Sequence, residues 1–241
     1  MTTVKFNGTN LSKLFIIGNQ SRPLPEFRDA SSTVDGRDGD IFESLTVGPR
    51  EVSFELVCKG KSPKEIQDAA RTLMDLFTVR KPRPLTFSDE VDDDGNQLVR
   101  YAVPTGSFDS QEFIRAGRWR CRFRQHDPFL YGRERSVVVK AGQAKKVDAG
   151  GNTPAWPTAS AVVASGTEYR LGLAGGKYVK YAAAFSGQEM NIDMSAQTAK
   201  PKPAISGADG LQKGSRFFSI DGTVTFEASH TTTVSWRERW L

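Results

Sequence analysis

Residues 118–132 read RWRCRFRQHDPFLYG, and from position 118 to 124 arginine alternates with apolar side chains. Successive side chains of a β-strand point to opposite faces, so Trp119, Cys121 and Phe123 share one face and the four arginines share the other. This pattern predicts a strand with one face in a hydrophobic core and the other in solvent. Asp127-Pro128 ends the strand, because proline is excluded from the middle of a sheet.

Two stretches upstream also predict strands. Residues 52–58 read VSFELVC and alternate with the same period of two. Residues 85–87 and 98–101 are β-prone and flank the acidic segment 89–96, which contains Gly95-Asn96. We expect a hairpin with a solvated tip that is free to reach a neighbouring molecule.

One helix is clear in the sequence. Ser62 is a good N-cap, Pro63 suits the first helical position, and Glu65 completes a capping box. Apolar residues then recur at spacings of three and four, which gives the helix one apolar face: Ile66, Ala69, Ala70, Leu73 and Phe77. We predict a helix over residues 62–79 that packs on a sheet, so the first half is α+β.

The composition changes after Tyr131-Gly132. Residues 141–241 are rich in Gly, Ala, Ser and Thr, show no helical period, and contain β-prone runs at 160–164, 178–182, 217–220 and 231–236. This half predicts a β-sandwich. The expected fold class is mainly β with one clear helix, divided into domains at 1–133 and 134–241.

The charge distribution argues against a nucleic-acid partner. The chain has a formal net charge of +5, yet residues 1–134 carry 20 basic and 20 acidic side chains. The excess lies thinly spread in the second half, whereas nucleic-acid modules cluster basic residues on one face. The arginines at 118–124 allow two interpretations, a phosphate-binding stripe or a face paired with carboxylates, and charge balance favours pairing.

Few residues suit catalysis, a cofactor or a metal. His126 and His230 are the only histidines, and neither lies in a nucleophile or metal-ligand spacing. Cys58 and Cys121 are expected as small core residues. We therefore predict no catalytic, cofactor-binding or metal-binding residue, and no enzymatic activity.

Two sequence patterns resemble ligand-binding motifs but lack features that those motifs require. An EF-hand register with Gly95 at the sixth position puts Tyr101 at the twelfth, where a bidentate Glu is required. A phosphate loop follows a strand and opens a helix, and neither Gly150-Gly151 nor Gly175-Gly176 has this position. Both glycine pairs are expected in turns.

In their order, these stretches resemble the distal tail protein family of siphophages. The most specific piece is residues 127–132, which is similar to the Asp-Pro-aromatic segment that closes the family's N-terminal domain. Further pieces follow the family's order: residues 6–8, 38–40, 52–58, 62–79, 84–89, 151–157, 192–193 and 234–237.

This resemblance implies a structural virion protein at the tip of a siphophage or prophage tail. It implies an N-terminal ring-forming domain, with a β-sandwich, a helix and a hairpin, and a C-terminal galectin-like β-sandwich. The expected assembly is a homohexameric hub that joins the tail tube to the baseplate. Expected partners are the tail tube protein, a tape-measure or tail-associated tip protein, and receptor-binding or baseplate proteins. No sequence-specific nucleic acid and no membrane insertion are expected, and assembly is expected in the bacterial host cytoplasm.

Two alternatives remain open. The first is a carbohydrate-binding, lectin-like module that contributes to host-surface attachment, because sandwiches of this kind can hold sugars. The second half offers four large aromatics for such a site: Trp156, Tyr178, Trp236 and Trp240. The second alternative is a tail-associated hydrolase, which ranks lower because no acid/base or nucleophile set is present.

Overall fold

The computed structural model describes residues 2–241. The chain forms two compact units, one that runs to Leu130 and one that comprises Tyr131–Trp240. The first unit contains two helices, α1 (Pro63–Phe77) and α2 (Ser110–Ala116), and a 3-10 turn at Leu11–Lys13. Its strands are β1 (Val4–Phe6), β2 (Thr9–Asn10), β3 (Phe15–Ser21), β4 (Phe27–Thr33), β5 (Asp40–Val47), β6 (Arg50–Cys58), β7 (Arg83–Phe87), β8 (Arg100–Thr105) and β9 (Arg118–Gln125).

Seven of these strands form one antiparallel sheet in the order β2-β1-β7-β8-β9-β6-β3, while β4 and β5 pair only with each other. Strand β8 pairs with β7 at Arg100 and with β9 at Thr105. The sheet curls around this shared strand, so Phe6 of β1 contacts Phe123 of β9 at a centroid distance of 4.9 Å. The two halves of the sheet thus enclose one core.

Helix α1 begins where the sequence predicts. The side chain of Ser62 accepts from the backbone N–H of Glu65, whose carboxylate accepts from the N–H of Ser62. The helix ends at Phe77, two residues before the predicted end, and the N–H of Thr78 closes its last turn on the carbonyl of Met74. The ring of Phe77 packs against Phe6, Trp119 and Phe123, which anchors the helix over the core.

Helix α2 was not predicted. Asp109 caps it by accepting from the N–H groups of Gln111 and Glu112, and Gly117 ends it in the left-handed region at φ 66°. Its seven residues are too few to show an apolar period, and Phe113 is its only buried residue.

The second unit confirms the predicted sandwich. Its two sheets have the orders β10-β19-β12-β15-β16 and β11-β18-β13-β14-β17. The strands are β10 (Leu130–Val139), β11 (Ala144–Asp148), β12 (Thr158–Val163), β13 (Gly166–Leu173), β14 (Tyr178–Phe185), β15 (Gln188–Asp193), β16 (Thr198–Lys202), β17 (Gly210–Leu211), β18 (Thr223–Ala228) and β19 (Thr232–Trp240). The inner faces of both sheets contribute to one core, which includes Tyr169, Met190, Phe226 and Trp236.

One strand prediction in this unit is wrong. Residues 217–220 are not a strand, and only Ile220 makes an isolated bridge, to Ala155. Phe218 and Ile220 are buried. The apolar pattern of this run therefore reflects a loop that covers the core.

Within residues 2–241, no helix has the length and apolar character needed to span a membrane.

Candidate assembly surface

Strands β4 and β5 form an arm that leaves the sheet after β3 and returns into β6. The strands have seven and eight residues, which at about 3.3 Å per residue gives an arm of about 25 Å. Nearly every arm residue is exposed. An isolated two-stranded hairpin is at best marginally stable in water, so the arm is expected to be stabilised by a partner.

One face of the arm carries most of its apolar side chains. Cross-strand partners share a face, and Phe27 pairs with Val47, Asp29 with Leu45. A register shift between Ala30 and Ser31 puts Phe42 opposite Ser31 and so onto this same face. The exposed fractions of Phe27, Leu45 and Phe42 are 47%, 54% and 65%. We call Phe27, Phe42, Leu45 and Val47 the apolar arm face.

An ionic cluster holds the base of the arm. Arg22, just after β3, donates to both carboxylate oxygens of Asp89 at 2.9 and 2.6 Å and lies 3.2 Å from Glu90. The hydrogen bonds from Arg22 lower the pKa of Asp89. Arg100 is fully buried and pairs with Glu90. Burial and the nearby Arg100 lower the pKa of Arg50 to about 10.

The predicted hairpin at residues 89–96 is present and residues 93–95 at its turn are exposed, but its base is anchored. Asp89 and Glu90 are tied to the arm base, and Asp92 is 7% exposed. One oxygen of Asp92 accepts from the backbone N–H groups of Asp94 and Asn96, and both oxygens accept from the side-chain amide of Asn96. The acidic loop is folded on itself, and the arm formed by β4 and β5 is the element that protrudes.

The four arginines of β9 lie on the outer face of the sheet, as the alternation predicts, and all are exposed. We call Arg118, Arg120, Arg122 and Arg124 the arginine face. The predicted pairing with carboxylates is largely absent: among residues 2–241 only Arg122 makes an ion pair, with Glu51 at 4.0 Å. Glu55 lies opposite Arg120 but accepts from Asn19 at 2.5 Å, and Arg120 donates to Ser53.

On the inner face of β9, two of the three side chains predicted to lie in the core are fully buried. Cys121 and Phe123 are fully buried, whereas Trp119 is half-buried against Phe77 and Phe108. Burial raises the pKa of the Cys121 thiol well above its usual range. Cys58 is half-buried and also free. Both thiols are thus packing residues, and the more enclosed one is Cys121.

The two histidines lie in different units of the structure. His126 is exposed at the end of β9. His230 stacks on Tyr169 at 6.0 Å, and its Nδ1 lies 3.0 Å from the hydroxyl of Ser229. Within the described part of the chain, no group of three or more His, Cys, Asp or Glu side chains could hold a metal ion.

In the second unit, the four aromatic residues considered for a sugar site differ in solvent exposure. Trp236 is buried and its Nε1 donates to the carbonyl of Ala149 at 2.7 Å, while Tyr178 and Trp240 are half-buried. Trp156 is 40% exposed. It lines a surface hollow of about 280 Å³ with Glu134, Thr158, Ser235, Trp236 and Arg237.

Comparison with known families and structures gives one consistent result. Residues 3–124 match the model of a phage tail protein RIFT-related domain, and residues 150–240 match that of a siphovirus-type tail component, C-terminal domain. The comparison with curated proteins finds no match.

Solved structures share the fold over the full length. The crystal structure of SPP1 Dit (gp 19.1), described as a paradigm of hub adsorption apparatus in Gram-positive infecting phages, is similar with a TM-score of 0.78 and 19% identity over 100% of both chains. A chain of the phage P2 baseplate in its activated conformation with Ca is similar with a TM-score of 0.55 and 9% identity, over 99% of this chain and 98% of that one.

Proposed function

The chain belongs to the siphovirus tail component family, and from this premise we propose that it forms a homohexameric hub at the tip of a phage tail. As a member of this family it is a structural component of the tail. We propose that six copies assemble into a ring that contacts other tail proteins. The hub joins the tail tube protein to a tape-measure or tail-associated tip protein and to receptor-binding or baseplate proteins.

The observation that carries the ring is the protruding arm. Among residues 2–241 no layer covers its apolar face, and Phe42, the apolar residue nearest the turn, is 65% exposed. A head-to-tail contact, in which one surface of each copy meets a different surface of the next, closes into a ring when the rotation permits. An arm that reaches outward supplies one of these two surfaces.

We assign residues 1–133 to the ring and residues 134–241 to a docking platform. The arm, the curled sheet and both helices all lie in the first segment. The second segment is a sandwich built around its own core. We propose that assembly takes place in the bacterial host cytoplasm.

We also propose that the protein has no enzymatic activity. The Ser229 hydroxyl, 3.0 Å from Nδ1 of His230, accepts from the backbone N–H of Arg170 and donates to its carbonyl, which is a structural role in the strand pairing. The buried Cys121 thiol has a raised pKa, which suppresses the reactive thiolate. A structural role needs none of these groups.

Native mass spectrometry and negative-stain images of the full chain at micromolar concentration test the ring. Wild type should form hexamers with a central opening. Changing both Phe42 and Leu45 to Ser should give a folded monomer. Ile41→Ser is the matched control, because Ile41 pairs with Ser32 on the opposite face of the arm and is 36% exposed. A stable closed dimer would contradict the proposal.

A second candidate function, binding of carbohydrate, is favoured by Trp156. An exposed aromatic ring beside Glu134, Thr158 and Arg237 combines a stacking surface with hydrogen-bonding groups. A glycan array on the full chain tests this function. Binding of one sugar class that is lost in Trp156→Ala, with an unchanged melting temperature, would support it, and no binding would exclude it at that concentration.

A further inference from the structure

The turn of the arm is acidic and exposed. Residues 35–40 read DGRDGD, so three carboxylates accompany one arginine. All six residues are exposed. The carboxylate of Asp40 accepts a hydrogen bond from Thr33 at 3.3 Å, and no ion pair holds Asp35 or Asp38 among residues 2–241. We call Asp35, Asp38 and Asp40 the acidic tip.

We propose that the acidic tip of one copy docks on the arginine face of a second copy of this chain. The inference rests on the proposed ring, for which it names the two surfaces that meet. A head-to-tail contact needs two different, complementary surfaces on one chain. The acidic tip and the arginine face are exposed, opposite in charge and largely unpaired.

The carboxylates on the neighbouring strand are too few to neutralise the positive charge of the arginine face. Strand β6 presents only Glu51 and Glu55 beside the four arginines. Glu51 reaches Arg122 at 4.0 Å, the limit of an ion pair, and Glu55 accepts from Asn19 instead. Alternate residues of β9 lie about 6.6 Å apart, which spaces the guanidinium groups along a row. A guanidinium group binds a carboxylate with two parallel hydrogen bonds, so this row suits a segment with several aspartates.

Phosphate groups are the competing ligand, because arginine forks also match phosphate oxygens. The carboxylates are favoured because the same chain carries them on a protruding element. The apolar arm face adds a contribution that salt does not screen, whereas the charge contribution weakens with ionic strength. Assembly should therefore weaken, and not vanish, between low and high salt.

Charge reversal tests the contact in the full chain by native mass spectrometry and analytical ultracentrifugation. The tip variant carries Asp35→Lys with Asp38→Lys, and the face variant carries Arg120→Glu with Arg122→Glu. Each should raise the concentration for half-assembly by about tenfold or more, because like charges then meet. The four changes combined in one chain should restore assembly. Asp68→Lys with Asp75→Lys on α1 makes the same charge change as the tip variant and should leave assembly unaffected.

The outcomes separate this inference from the ring itself. If wild type forms hexamers and neither reversal weakens them, or the combined variant fails to recover, the contact is wrong and the ring stands. If wild type stays monomeric at every concentration, both are overturned. If the face variant loses binding of duplex DNA at physiological salt while its hexamers persist, the arginine face is a phosphate site and the inference is overturned.

Discussion

The phenyl rings of Phe54 on β6 and Phe87 on β7 meet edge to face with centroids 5.8 Å apart, although β8 and β9 separate their strands in the sheet. Neighbouring strands lie about 4.8 Å apart, so a flat sheet would put these two strands about 14 Å from each other. The contact shows how tightly the sheet curls. Both rings are fully buried at the centre of the first unit's core.

We expect Phe54→Ala to lower the free energy of unfolding by about 3–5 kcal/mol, because it opens a cavity where the two halves of the sheet meet. Urea unfolding followed by circular dichroism measures the change. Phe27→Ala is the matched control, since Phe27 is 47% exposed on the arm. It should change the stability of the dissociated chain by less than about 0.5 kcal/mol. Equal losses in both variants would contradict the position of Phe54.

Gly151 and Gly175 provide a second test, because both have a positive φ in different surroundings. Gly151 has φ 77°, and a Cβ added there would lie 2.2 Å from the carbonyl oxygen of Arg239. Gly175 has φ 69° with open space around it. Gly175→Ala should cost about 1–2 kcal/mol through the left-handed backbone alone. Gly151→Ala should lower the melting temperature clearly further, and a smaller loss than at Gly175 would refute the close approach.

The thiols should differ in reactivity. Cys121 is fully buried with a raised pKa, whereas Cys58 is half-buried. A thiol reagent added to the folded protein should therefore label Cys58 first. In Cys58→Ser the labelling should fall to the rate at which the first unit unfolds. Rapid labelling of that variant would show that Cys121 is accessible.

The pH dependence of stability should report the pair at the base of the arm. Arg22 lowers the pKa of Asp89 in the folded state. The carboxylate therefore stabilises the fold above the usual Asp pKa of about 3.9, and this contribution is lost as the pH falls through the lowered folded value. Wild type should exceed Asp89→Asn in stability at pH 6, and the difference should shrink towards pH 2. In an Arg22→Gln background the same comparison should show little pH dependence.

Calcium should not affect folding. Both carboxylate oxygens of Asp92 accept hydrogen bonds from Asn96, and one also accepts from the backbone of Asp94. Thermal melts in millimolar calcium and in chelator should coincide, because an ion stabilises a fold only by binding to the native state. A rise of several degrees with calcium would contradict this expectation.

The sequence predicts best where burial imposes a period. The alternation at β9 and the capping box at Ser62 both place their elements correctly, because a half-buried strand and a capped helix leave local patterns. The arm leaves no such pattern: β4 reads FRDASST and β5 reads DIFESLTV, and neither face is covered by any residue from 2 to 241. Its apolar face depends on a register shift that single residues do not reveal.

The sequence predicts only part of the candidate assembly surface. The alternation tells which face of β9 carries arginines, but their partners depend on where other strands place carboxylates. Glu55 lies opposite Arg120, yet it binds Asn19, a residue whose left-handed backbone at φ 44° turns it towards β6. Likewise, the acidic loop at residues 89–96 is polar enough for a free tip, and only the position of Arg22 shows that it is anchored.

The strand order of the seven-stranded sheet has a consequence for synthesis on the ribosome. Strand β9 is the last of the seven strands along the chain, but it lies between β8 and β6, so the sheet cannot close until Gln125 has left the exit tunnel. At about 5–20 residues per second, β6 then waits several seconds with Phe54 and Leu56 unprotected. A chaperone that binds apolar strands at this stage is therefore expected to raise the yield of folded protein.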